Sequence, residues 1–313
     1  MLARDLLLRL SNQPAIGRGL SRLPVTRDLI RRFVAGTRPQ DALGVLADLD
    51  ARGFHTAVTC LGENVNTPEA AQAAAGVYEG LIDEIHQLGL RCTPSLKLTH
   101  LGLDLGEEVA RANAERVLAA ARGTVVWLDM EDTRYTDRTL RLYRHLRERW
   151  PGVAAVVQAY LYRTAADVRA LVPGGLRVRL CKGAYREPPQ RAFPAKRNVD
   201  RNYAHLAGML LSREARAAGA YPAFATHDER LIRVISAEAR KLGVPPDRYE
   251  FQMLYGIRPD LHEAVKADGQ RVRVLVPFGE DWYGYFVRRL AERPANVLFL
   301  LRGLRGGRPA DRL

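Results

Sequence analysis

Cysteine is scarce in this 313-residue chain: Cys60, Cys92 and Cys181 each stand alone, with no CxxC spacing. That excludes a zinc ribbon and a disulfide framework and makes a reducing compartment the default. Long apolar runs are missing too, since none approaches the roughly 18–20 residues of a membrane span. The opening MLARDLLLRLS is too short and too broken by charge for a secretory signal, and reads as a short amphipathic helix. A cytoplasmic location is expected, with any membrane contact peripheral, on the inner face. No GxGxxG fingerprint follows the first β-rich run, which weakens the case for a dinucleotide-binding open sheet. No second histidine or cysteine stands at ligand spacing from His227, so no metal site is expected.

What is present describes a globular protein, with 47% hydrophobic and 27% charged residues and a net charge of +13. Such a basic chain attracts anions, whether nucleic acid, an anionic membrane or acidic metabolites. Its arginines are scattered through helical segments, and no nucleic-acid motif accompanies them, so nucleic acid is not expected as a partner. Homo-oligomerisation is left open.

Residues 1–50 look helical, with apolar positions at Leu6, Leu7 and Leu10, then Leu29, Ile30 and Phe33, then Leu43, Val45, Leu46 and Leu49. Punctuation by Gly17, Pro24 and Pro39 divides them into three short helices, an N-terminal helical arm. From residue 51 to 313 the rhythm changes to short β-rich runs alternating with amphipathic helices. Strands are predicted over His55–Leu61, Arg91–Lys97, Thr124–Asp129, Val153–Gln158, Leu176–Cys181, Tyr221–Thr226, Tyr249–Met253 and Val272–Val276. Helices are predicted over Pro68–Leu88, Glu107–Ala121, Thr139–Trp150, Arg201–Ala217, Glu229–Leu242 and Pro259–Ala267. The last strand is expected to stop at Pro277 and Gly279, before a helix carrying Arg288 and Arg289. Eight strand–helix units in about 250 residues predict an α/β fold, a (β/α)8 TIM-like barrel.

A barrel works at the carboxyl ends of its strands, and here those ends are polar. Glu63, Lys97, Asp129 with Glu131, Gln158, Arg179 with Lys182, Thr226 with His227, and Gln252 follow or close seven strands in turn. One such residue is readily a solvated lip or a structural ion pair; a converging set points to a site. Each keeps its plainer reading. Lys97 is a Schiff-base nucleophile, a rim lysine or, the favoured reading, a charge partner of Asp129. His227 hydrogen-bonds a cofactor, or Thr226 simply caps the next helix. Lys182-Gly183-Ala184 is a phosphate cradle or a tight turn. Arg288 and Arg289 suit a carboxylate, although two arginines on a helix are more often a solvated face.

The stretches SLKL (95–98), DMED (129–132), VVQAY (156–160), RLCKGAY (179–185), YPAFATHD (221–228), YEFQMLYG (249–256) and YFVRRLAE (285–292) together resemble the proline dehydrogenase family. The resemblance runs from the second strand to the last helix and implies a distorted (β/α)8 barrel holding FAD. It implies oxidation of L-proline to Δ1-pyrroline-5-carboxylate by hydride transfer to flavin N5, with electrons passed to a membrane quinone. It also implies site roles. Arg288 and Arg289 bind the proline carboxylate, Lys97 and Asp129 form a charged floor, Tyr285 packs on the ring, and Glu63 closes a gate by pairing with Arg288. Arg179 donates to flavin N5; Met130, Gln158, Lys182, Gly183, Ala184, Thr226 and His227 hold the cofactor, with Gln252 also assigned to it. Glu292 fixes the last helix or touches the flavin.

Leu275 departs from the tyrosine that many bacterial members carry in the eighth strand, near proline C4. Weaker rejection of 4-hydroxyproline is therefore expected. Two other classes remain open from the residues alone: a Schiff-base lyase or aldolase acting through Lys97, and a non-catalytic basic barrel that binds a ligand.

Overall fold

The structure, a computed structural model, describes residues 30–292, excepting the side chains of Arg288, Leu290, Ala291 and Glu292. The expected helices before Ile30 lie outside these residues. Helix α1 (Pro39–Ala51) leads into β1 (His55–Cys60). There follow α2 (Pro68–Gln87), β2 (Cys92–Leu96), α3 (Glu107–Ala120), β3 (Val126–Leu128), α4 (Thr136–Arg149), β4 (Val153–Gln158) and α5 (Thr164–Leu171). Next come β5 (Arg177–Cys181), α6 (Lys196–Leu211), α7 (Arg213–Ala217), β6 (Tyr221–Ala225), α8 (Glu229–Lys241), β7 (Glu250–Leu254), α9 (Pro259–Ala267), β8 (Val272–Phe278) and α10 (Trp282–Glu292). All eight strands pair in parallel and in sequence order, and β8 closes on β1.

Strand β4 matches its predicted span, and the others move at an end by one or two residues. Two helices differ more: α4 starts three residues early, at Thr136, and α6 five residues early, at Lys196. The segment predicted as one helix to Ala217 breaks at Ser212, whose hydroxyl accepts the Ala215 N–H at 3.2 Å and so starts a second helix. Strand β8 does not stop at Pro277 but runs through it to Phe278. Leu275 and Pro277 turn their carbonyls towards the β7 side, where Leu275 accepts from Tyr255. By Pro277, β7 has ended and Ala35 N–H takes its place, so the missing proline N–H interrupts no ladder.

The strands' outward faces, such as Val58, Val274 and Val276, are apolar and join Leu46, Tyr78 and Phe251 in one buried core. Helix α1 packs against β8 and β1 and contributes Ala42, Leu43, Leu46 and Leu49 to that core. It thus occupies the outer groove that a helix following β8 takes in a regular barrel. Helix α10 lies elsewhere. Its Trp282, Tyr283, Tyr285, Phe286 and Val287 cluster with Phe33, Val34, Leu61 and Ile257, residues at the carboxyl-end rim.

Candidate active site

Inside the barrel, polar side chains replace aliphatic ones. Arg179, from β5, is 5% exposed. Its Nη1 donates to Asp129 Oδ1 at 2.7 Å and to Ser95 Oγ at 3.0 Å, and its Nε donates to Gln252 Oε1 at 2.5 Å. Ser95 Oγ in turn donates to the same Asp129 oxygen at 2.8 Å. The guanidinium carbon stands 4.7 Å from the centre of the Trp127 ring. Burial pulls the guanidinium's pKa down from its ordinary value, and the Asp129 charge acts against that.

This arrangement corrects the favoured reading of Lys97. Asp129 is engaged by Arg179 from across the barrel, and Lys97 pairs instead with Glu63 at 2.9 Å. Lys97 lies just beyond the end of β2, where the loop after β1 brings Glu63 within its reach. The expected pairing of Glu63 with Arg288 lies outside the described side chains, as does the side chain of Glu292. Arg289 packs its guanidinium 5.2 Å from the Tyr285 ring.

Further round the rim, buried Glu131 accepts the Thr99 N–H at 3.1 Å and the Thr99 hydroxyl at 2.6 Å. Burial pushes its carboxyl up to about 7, against the opposing pull of the Thr99 hydroxyl and Lys97. Gln158 donates to the Glu131 carbonyl at 2.9 Å, tying β4 to β3. Met130 is buried in the main core. Lys182 donates to Asp200 at 2.6 Å and to Asp228 at 2.9 Å. Lys196 donates to the same two carboxylates, so two cations and two anions meet there. Thr226 is not the helix cap: its hydroxyl accepts the Asp228 N–H, and the Asp228 carboxylate caps α8 through the Arg230 N–H. His227 Nε2 accepts the Leu254 N–H at 2.9 Å, which puts the proton of a neutral ring on Nδ1. Leu275 is half-buried, in register with Ala57 of β1 and Leu254 of β7.

The sequence model described as Proline dehydrogenase matches residues 42–302. The chain belongs to the proline dehydrogenase family. It is 38% identical over 281 residues to "Proline dehydrogenase 1" of Bacillus subtilis strain 168, covering 89% of this chain and 91% of that protein. It is likewise 38% identical over 287 residues to "Proline dehydrogenase" of Deinococcus radiodurans, covering 90% of this chain and 91% of that one. Among solved structures, it is similar to proline utilization A (PutA) from Bdellovibrio bacteriovorus inactivated by N-propargylglycine, at 26% identity and a TM-score of 0.79. That match covers 85% of this chain and only 32% of the longer protein, so the chain spans about a third of it.

A proline dehydrogenase is a flavin-dependent oxidoreductase, and two features of the barrel mouth fit a flavin. Arg179 Nη2 is buried and finds no hydrogen-bond partner among the described residues. Leaving such donors unsatisfied costs about 1–3 kcal/mol, a cost that a flavin acceptor removes. Gly183 has φ +111°, and a Cβ there would stand 2.3 Å from Tyr160 Cδ1. Only glycine keeps the backbone flush with that ring, beside Lys182.

Several site residues escaped the sequence reading: Glu250 and Arg273, Ser95, Trp127, Thr93, and the Lys182 partners Asp200 and Asp228. A signal existed for the first pair. In YEFQ and RVRV, charged or amide residues alternate with apolar ones, a period of two that points polar side chains at the barrel axis.

Proposed function

We propose that this chain binds FAD and oxidises L-proline to Δ1-pyrroline-5-carboxylate, with the electrons passed to a quinone. The observation that carries this reading is Arg179, a buried guanidinium bonded to Asp129 whose Nη2 has no partner among the described residues. When bound, FAD supplies the acceptor for the hydride that leaves C5 of the proline ring.

The chain's own residues supply the rest. Lys97 has three N–H donors, so it can hold Glu63 and a substrate carboxylate together. Arg288 and Arg289 add fixed charge and fork geometry for that carboxylate. The amine must be neutral for the ring to release hydride, and this cationic surround favours loss of its proton. Tyr285 packs on the ring, and the aromatic face of α10 keeps water from it. Arg179 would hold the flavin at N5, with the unpartnered Nη2 as the available donor, and its charge would favour the reduced, electron-rich form. Lys182, Gly183, Ala184, Gln158, Thr226, His227 and Met130 would hold the remainder of the cofactor, Lys182 supplying positive charge for its phosphates. Lys97 Nζ is engaged with Glu63 at 2.9 Å, an ion-pair role in place of the free nucleophile that a Schiff-base enzyme presents. Among the described residues no helix is long and apolar enough to cross a membrane.

The test is spectroscopic. The purified protein is expected to be yellow, to release FAD on denaturation, and to bleach when L-proline is added without oxygen. A protein that takes up no FAD, or holds FAD that L-proline leaves oxidised, overturns the proposal.

A further inference from the structure

One layer below Arg179, at the level of β7 and β8, lies a buried ion pair to which no substrate or cofactor role falls. Glu250 is fully buried, and its carboxylate accepts from Arg273 Nε at 2.7 Å and Nη2 at 3.0 Å. It also accepts from Gln252 Nε2 at 2.6 Å and the Tyr221 hydroxyl at 3.3 Å. A carboxylate held in this way can only accept, so it dictates which end of the Gln252 amide faces it. The NH2 must turn towards Glu250. The amide oxygen then faces Arg179 Nε; the flipped amide would set donor against donor.

Arg273 reaches Arg179 by a second route. Its Nη1 donates to Thr56 O at 2.8 Å and to Thr93 Oγ1 at 3.3 Å. Thr93 Oγ1 also accepts the Trp127 indole N–H at 3.2 Å, and that indole is the ring on which Arg179 stacks. The indole sets the tilt of the guanidinium plane. Gln252 on one side, with Asp129 and Ser95 on the other, sets its rotation within that plane. Only Nη2 is left without a partner among the described residues.

We propose that Glu250 and Arg273 are positioning residues which, through Gln252 on one side and Thr93 with Trp127 on the other, fix the orientation of Arg179 towards the flavin. The inference rests on the flavin reading above for its consequence, though not for its geometry. A guanidinium free to rock presents its charge to the flavin less closely, so the reduced flavin is less favoured and hydride transfer slows. Proline binding is touched far less, because none of these residues lines the substrate side of the mouth.

Gln252→Met tests the first route, as a near-isosteric change that leaves Glu250 its Arg273 and Tyr221 partners. Thr93→Val tests the second, with Thr93→Ser as the variant that keeps the hydroxyl. In Gln252→Met the flavin reduction equilibrium is expected to shift about tenfold towards the oxidised form, about 30 mV for a two-electron couple. Its kcat is expected to fall about tenfold, with KM for L-proline within about twofold. Thr93→Val should move potential and kcat in the same direction, and Thr93→Ser should restore both.

An independent readout needs no flavin. In nitrogen-15 spectra of the flavin-free protein, the Arg179 Nε–H, assigned by its loss in Arg179→Lys, should exchange slowly in the parent and much faster in Gln252→Met. An unchanged potential and unchanged exchange in folded Gln252→Met overturns the proposal. So does a raised KM with kcat intact. If the parent protein takes up no flavin, the flavin reading falls and the exchange comparison alone decides the relay.

Discussion

At the scale of single residues, Glu131 gives the clearest dependence on pH. Its folded carboxyl titrates near 7, above the ordinary 4.5, so between those values the folded chain binds more proton than the unfolded one. Stability therefore falls as pH rises from about 4.5 to about 7 and is level above that, by on the order of 3 kcal/mol in all. Glu131→Gln can keep both Thr99 bonds, because the hydroxyl can reverse its role. Its stability relative to the parent is expected to rise between pH 5 and pH 8, read as the difference in urea midpoints; a constant difference counts against the assignment. Leu275 carries a second prediction. Leu275→Tyr adds a hydroxyl at a half-buried position on the mouth side of Arg273, and should lower kcat/KM for 4-hydroxyproline against L-proline several-fold. An unchanged ratio removes this residue from specificity. Much at this scale was legible in the sequence, because a lysine in SLKL or an arginine in RLCK is conspicuous among apolar neighbours. Partners were not. Nothing in the chain order says that Asp129 meets Arg179, 50 residues on, while Lys97 meets Glu63.

At the scale of elements, the eight strands were legible because each is a short β-rich run between helical periods. The break at Ser212 was not, since both halves share one amphipathic rhythm. Helix α5 was legible only as the connection that a strand–helix unit requires after β4, because its eight residues give too little periodicity to fix its bounds. The placement of α10 depends on α1, far away in sequence. With α1 filling the groove outside β8 and β1, α10 turns onto the rim and packs Phe286 at 6.0 Å from Phe33 and 6.0 Å from Trp282. Phe286→Ala removes that anchor, at a cost of about 3–5 kcal/mol if the helix stays docked and less if it lifts. Because α10 carries Arg288 and Arg289, the expected kinetic signature is a KM for L-proline raised at least about fivefold. FAD affinity should change less than about twofold. A loss of FAD with KM unchanged would show that α10 serves the cofactor instead.

At the scale of the whole molecule, the barrel is held shut by charge as well as by aliphatic packing. Arg273 of β8 bonds to Glu250 of β7, Thr56 of β1 and Thr93 of β2, which joins the last two strands to the first two. Breaking the pair from one side should be severe: Arg273→Met leaves Glu250 buried and uncompensated, at about 3–5 kcal/mol. The double variant Glu250→Gln with Arg273→Met should be less destabilised than the sum of the singles, measured by denaturant unfolding. Simple additivity would mean the two do not act as a pair. The bond from Arg273 to Thr56 joins residues 217 positions apart. A ribosome builds those positions in order, so a nascent chain that has made seven strands still carries Glu250 without its arginine and a mouth without its floor. All eight strands must leave the exit tunnel before the barrel can close, so a flavin site at its mouth is complete only once β8 has emerged.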